Sequence, residues 1–226
     1  PDDNFLKKVR ELCTQNNIIL IFDEMITGFR FSNGGAQELF QVTPDLSCFG
    51  KGIANGYPLS AIVGKSEIMK KMDEIFFSGT FGGELLSLAA AKATLTELQN
   101  KPILKNIEKK GAYLKERLVE LIAEYKLNEF FEIRGHSSWT FFTIKPHKYY
   151  DSNALKTFYI QEMLLNGFFT LGTHNLSHAH TIESIEKLID CYRSFFNITK
   201  EIIVNREEFQ KMLCCSPILP LFRVRH

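Results

Sequence analysis

A chain of 226 residues, 45% of them hydrophobic, can bury a sizeable core in one or two domains. Its 27 basic and 26 acidic residues leave a formal charge of +1, which gives no electrostatic reason to expect a nucleic-acid or membrane-surface partner. Five cysteines (Cys13, Cys48, Cys191, Cys214 and Cys215) lack CxxC spacing, and the start carries neither a signal-peptide pattern nor an 18-residue apolar span, so a cytoplasmic location is expected.

The first predicted element is a capped helix over residues 2–16, with Phe5, Leu6, Val9, Leu12 and Cys13 on one face. It feeds the apolar run Ile18–Phe22, which ends abruptly in Asp23 and Glu24. That pattern predicts a buried parallel strand delivering a carboxylate at its C-terminal end, where open α/β sheets bind ligands. The chain begins with Pro1, in what reads as half of a βαβ unit, so it is expected to be the later part of a longer protein.

Thr27–Arg30 and Gly34–Gln37 read as loop, and Pro44-Asp45 as the turn before a short strand carrying Leu46 and Cys48. Lys51 follows directly, inside SCFGKGIANGYPLSAIVG (Ser47–Gly64). Gly50 and Gly52 flank it and Gly56 follows, so a ligand can approach the backbone there and the lysine is presented to it. Leu59–Val63 predicts a second strand, and Ser66 a helix cap. Strands alternating with helices imply a largely parallel sheet.

Ser78–Gly83 precedes a helical pattern from Glu84 to Leu98. Amides at a helix start favour phosphate, and Thr80 can add a hydroxyl. Pro102 is expected to open a long helix to about Tyr125, with the domain boundary close by: residues 1–100 in one domain, and 101–226 holding the connecting helix, a small α+β domain and a tail. In that second part the predicted elements are strands at Phe130–Ile133 and Trp139–Ile144, a helix over Asn153–Asn166, a strand at Gly167–Leu171 and a last helix from Thr181 to about Ile203. The tail with Cys214-Cys215, Pro217, Pro220 and Phe222 reads as irregular.

An acid at a strand end and a lysine in a nearby turn suggest pyridoxal phosphate, which needs a lysine for a Schiff base and a carboxylate to keep its pyridine nitrogen protonated. IFDEMITGFRF, GGAQELFQVTPDLSCFGKGIANGYPLSAIVG and FSGTFGGELLSLAAA closely resemble, in order and spacing, the class III pyridoxal-phosphate aminotransferases, above all the branch containing glutamate-1-semialdehyde aminomutase. The resemblance is strong from about Phe5 to Glu97 and weaker beyond. It implies an α/β, fold-type I transferase: the later part of the large, mostly parallel-sheet domain followed by a small α+β domain. It also implies Lys51 as the Schiff-base lysine, Asp23 as partner of the pyridinium nitrogen and Met25 packed near the ring. Thr80 would bind the phosphate of a neighbouring subunit's cofactor, in a homodimer working on a small amino donor and a carbonyl acceptor.

The same resemblance marks departures. The family's earlier phosphate loop and ring-stacking aromatic are absent. Arg134 in EIRGHSSW matches the opening of a family loop, but His136-Ser137-Ser138 does not continue it. The segment from Gly167 to Thr181 is short for the aminomutase and carries no glutamate before Ala179-His180-Thr181, so intermolecular transamination is favoured over the aminomutase reaction. An Arg-x-x-Pro-Pro element for a substrate carboxylate is also missing.

Three rival readings stand beside this one. An apolar run ending in Asp-Glu is also a Walker B pattern, but Leu59 stands where a P-loop ending in Gly64-Lys65-Ser66 needs glycine, and that segment follows the acid. His174, His178 and His180 cluster in sequence, yet no acid or cysteine lies among them, and no metal site is expected. A non-catalytic homologue serving as a binding or assembly module fits the missing first half, but not the joint presence of Asp23, Lys51 and Thr80.

Overall fold

The structure, a computed structural model, describes residues 4–219. The chain divides between residues 106 and 107 into two compact units.

In the first unit, helix α1 (Phe5–Gln15) leads to strand β1 (Ile21–Asp23), which pairs in parallel with β2 (Leu46–Phe49). The expected strand end at Asp23 is present, but the run before it is not buried: Ile18, Ile19 and Ile21 are each more than half exposed. The reason is that β1 lies at the edge of a three-stranded sheet and pairs with β2 alone. Phe5 and Leu12 of the expected apolar face are exposed as well, while Cys13 is buried; Asp2, in the predicted cap, lies outside the described residues.

Strand β3 (Ala61–Gly64) runs antiparallel to β2, so this part of the sheet is mixed where a largely parallel arrangement was expected. Residues 50–60 between the two strands form a 3₁₀ turn (Lys51–Ile53) and coil, without the crossover helix that a parallel return requires. The chain therefore doubles back. Between β1 and β2 sits the short helix α2 (Ala36–Phe40); after β3 come α3 (Ser66–Met69) and a 3₁₀ turn (Lys70–Glu74). Lys65 occupies the cap position of α3 without a side-chain capping bond, so Ser66 is its first residue and not its cap.

Helix α4 (Leu85–Asn100) lies on the Lys51 turn: Ala91 shares a small buried cluster with Phe49, Ile53 and Ala54. Burying four such side chains at about 25 cal/mol per Å² of apolar area is what fixes the turn on the helix. Helix α5 begins at Ile103 and runs to Glu124; the Pro102 carbonyl accepts from the Asn106 amide, so Pro102 sits just ahead of the helix.

The second unit is a three-stranded antiparallel sheet, β4 (Phe131–His136), β5 (Trp139–Ile144) and β6 (Thr173–His174), with α6 (Ser152–Leu165) and α7 (Ile182–Val204). Thr181 caps α7 through the Ser184 amide, and Ser184 returns the bond in a capping box. The chain's many phenylalanines find their use here: Phe131, Phe142, Phe195 and Phe196 pack with Tyr159 and Tyr192, ring centres 4.8–6.1 Å apart.

The predicted strand at Gly167–Leu171 is absent. Instead Gly167 ends α6: its amide donates to the Leu164 carbonyl and that of Phe168 to Met163, the paired bonds of a Schellman stop, and the strand forms only at Thr173. The tail is irregular after a 3₁₀ turn (Phe209–Met212), held by Cys214 and Ile218 amides donating to Gln161 Oε1 and Thr157 Oγ1; Pro220 and Phe222 lie outside the described residues.

Candidate active site

The site is built where β1 and β2 end side by side. Their parallel register sets Asp23 opposite Cys48, and Lys51 follows three residues later, after Phe49 and Gly50. Asp23 and Lys51, far apart in sequence, thus stand at the C-terminal ends of adjacent parallel strands. Asp23 accepts the Met25 amide at 3.0 Å through Oδ1, an Asx-type bond that turns the chain immediately after the strand. Its side chain remains open to solvent.

Lys51 is exposed, with φ +45°, in the left-handed region that a lysine avoids. Such conformations cost about 1–3 kcal/mol and persist where the surroundings over-determine them. Here Gly50, fully extended on one side, and the buried Ile53 and Ala54 on the other hold the turn. Met25 fits against this turn because residue 50 has no side chain: a Cβ there would lie 2.6 Å from the Met25 sulfur.

Thr80 is exposed in the turn over residues 79–83, in the stretch that leads into α4. The expectation that α4's first amides are open to phosphate needs correction. Glu84 caps the helix, its carboxylate accepting from the Leu86 amide at 2.8 Å and the Ser87 amide at 2.7 Å. The Ser87 hydroxyl also donates to it, and these bonds hold the Glu84 carboxyl below its ordinary range. An anion near Thr80 therefore depends on the turn itself and the threonine hydroxyl. Exposed Phe76, Phe77, Phe81, Leu85 and Leu86 surround this segment.

Two buried acids of the first unit, Glu24 beside the site and Asp45 at the opposite ends of the strands, escape a reading by motif. Glu24 is buried and accepts from the Ala36 amide (2.9 Å), the Gln37 amide (3.0 Å) and the Thr27 hydroxyl. The signal was present: successive strand residues face opposite sides, so of the pair Asp23-Glu24 only one can face a ligand while the other turns inward. Asp45 is likewise buried, accepting the Leu20 amide, Arg10 and Lys65, each at 2.7 Å.

The histidines divide. His174 lies in the core of the second unit, bonded to Thr140 Oγ1 at 2.9 Å and Tyr192 OH at 2.7 Å, while His178 and His180 are exposed. Among the described residues no group of three metal-ligating side chains comes together. Arg134 is exposed and pairs with Glu132 at 2.6 Å.

The chain belongs to the class III aminotransferases: the family described as Aminotransferase class-III matches residues 1–189. Glutamate-1-semialdehyde 2,1-aminomutase of Methanococcoides burtonii is 36% identical over 205 residues, 85% of this chain and 48% of that protein. Among solved structures, ornithine aminotransferase of Toxoplasma gondii ME49 aligns at 27% identity and TM-score 0.77, over 89% of this chain and 48% of that one. The FumI protein of Sphingopyxis sp. MTA144, solved in its PLP internal aldimine form, shares the fold at 24% identity and TM-score 0.79, over 88% and 48%. The chain thus has the fold of part of a fold-type I transferase, and spans about half the length of the curated relatives it matches.

Proposed function

We propose that the full-length polypeptide is a pyridoxal-phosphate-dependent aminotransferase, moving an amino group from a small amino donor to a carbonyl acceptor, with Lys51 and Asp23 as its catalytic pair. The observation that carries this reading is the exposed Lys51 set just beyond the C-terminal end of β2, beside Asp23 at the same end of the parallel neighbour β1. Open α/β sheets bind ligands beyond the carboxyl ends of their strands, which is where both residues stand.

The residues present suit the cofactor. Lys51 offers an exposed amine and Asp23 an exposed carboxylate at the same end of two parallel strands. When bound, pyridoxal phosphate supplies an electron sink for the carbanion formed at the substrate's amino carbon. Lys51 would hold the cofactor through its amine and, once free, would act as the general base that takes the proton from the substrate's amino carbon. Asp23 would pair its carboxylate with the cofactor's pyridine nitrogen and favour that nitrogen's protonated form. Met25, packed on Gly50, would lie beside the ring, and Thr80 would offer its hydroxyl to the phosphate held by a second copy. The exposed phenylalanines around Thr80 support a homodimer, and free cysteines support a cytoplasmic location. The chain alone is expected to be inactive.

The test is attachment. The full-length polypeptide mixed with pyridoxal phosphate should absorb in the visible, and borohydride should abolish that band and leave the cofactor covalently on Lys51. Attachment at another lysine would overturn the assignment. The relatives named as aminomutases favour a second reading, an intramolecular exchange on glutamate-1-semialdehyde. Turnover of that compound without a separate donor would select it.

A further inference from the structure

We propose that Glu24 is a positioning residue for Lys51: its buried carboxylate clamps the loop over residues 25–37 onto the turn that carries the lysine. The inference rests on the aminotransferase reading for its consequence, and on the geometry alone for the clamp.

The clamp is a closed ring of polar bonds. From the end of β1, the Glu24 carboxylate takes the Ala36 and Gln37 amides, the first donors of α2. Gln37 then donates through Nε2 to Ser47 Oγ at 3.2 Å, on β2. Ser47 lies opposite Phe22 in the parallel ladder, and the Glu24 amide donates to the Cys48 carbonyl at 2.9 Å, which returns the ring to its start. Ser47 and Glu24 are both buried, so none of these bonds is exchanged freely with water.

What the ring encloses is the loop that braces the lysine. Met25 occupies the space over Gly50, and the Phe29 ring packs on Phe49 with centres 5.5 Å apart. Phe49 and Gly50 are the two residues before Lys51. If the carboxylate released α2, the loop would be free to lift, and these two of the contacts that hold the turn would loosen. Gly35 is shaped for the same bond: at φ +77° it brings its backbone so near that a Cβ would meet the Glu24 carboxylate at 2.7 Å.

The experiment uses the full-length polypeptide and the variants Glu24→Gln and Gly35→Ala, which attack one clamp from two sides. Amide hydrogen exchange without cofactor is read at temperatures where every variant remains folded. Faster exchange by tenfold or more over residues 48–53 in both variants, with affinity for added pyridoxal phosphate weakened about tenfold, supports the proposal. Faster exchange confined to residues 25–37, with affinity within twofold of the parent protein, overturns it and leaves Glu24 a local loop anchor. Borohydride labelling of the parent protein runs in parallel. Failure to label Lys51 there refutes the aminotransferase reading, while the exchange pattern over residues 48–53 still decides the clamp.

Discussion

The sulfur of Met25 sits 2.6 Å from the point where a Cβ on Gly50 would lie, so these two residues share one volume at the base of the Lys51 turn. Gly50→Ala must therefore displace Met25. Because methionine is flexible, the cost in stability should stay within about 2 kcal/mol, while binding of pyridoxal phosphate falls by tenfold or more. Adding Met25→Ala should restore stability in part, a non-additive pair readable in urea melts. Strict additivity would show that the two side chains do not compete.

Lys51 itself gives a second prediction, because its left-handed backbone is strained for any residue with a Cβ. Lys51→Gly and Lys51→Ala both remove the amine and should abolish covalent attachment of the cofactor and lower turnover by several orders of magnitude. They should differ in stability. Glycine relieves the positive φ and alanine does not, so the glycine variant should be more stable than the alanine variant by about 1 kcal/mol, after its greater freedom in the unfolded state is offset. Equal melting curves would mean that the turn relaxes without the lysine.

These two effects show what the sequence could and could not convey. The Asp23 strand end, the Lys51 turn and the long helices were legible because apolar periodicity, glycine and proline act locally. The antiparallel turn-back into β3 was not, since strand direction depends on how the chain crosses residues 50–60 and not on the strand's own composition. Gly167 illustrates the same limit: an apolar run reads as strand, yet the glycine before it stops α6 and leaves Phe169 and Leu171 exposed. Glu84 resembled the first residue of an open helix end and is instead its cap. Glu24 and Asp45 were visible as acids, but their buried partners come from residues brought near only by folding.

Asp45 carries the third prediction. The Leu20 amide, then Lys65 and Arg10, hold its carboxyl far below the usual range. A folded value below the unfolded one means the stabilisation is complete above the unfolded carboxylate's value, near 4, and is lost as pH falls through the folded value. Asp45→Asn should cost about 2 kcal/mol at pH 7 by leaving the Leu20 amide poorly served. That deficit should shrink as pH drops below about 4, where the unfolded parent chain's carboxyl takes up a proton while the folded one stays ionised. Circular dichroism melts of both proteins between pH 7 and 3 supply the check, and a pH-independent deficit would remove the charge from the explanation.

The last prediction concerns His174, whose ring lies between Thr140 and Tyr192 in the second unit, with Tyr192 passing the hydrogen-bond chain on to Tyr159 OH at 2.7 Å. No charged group is among these partners, and burial pushes the imidazole down to about 4. The unfolded chain, with a histidine value near 6.5, therefore takes up the proton first as pH falls. Stability from this group is full above about pH 6.5 and declines as pH drops toward 4, at up to about 1.4 kcal/mol per pH unit. Trp139, the single tryptophan, lies in the same unit and reports its unfolding by fluorescence. Between pH 7 and pH 5 the parent protein should lose about 2 kcal/mol more than His174→Gln, which cannot titrate there. The variant will be less stable at pH 7 because glutamine serves the hydroxyls imperfectly, so the comparison rests on the change with pH and not on the absolute value. Parallel losses in both proteins over that range would mean that the buried imidazole does not govern acid stability.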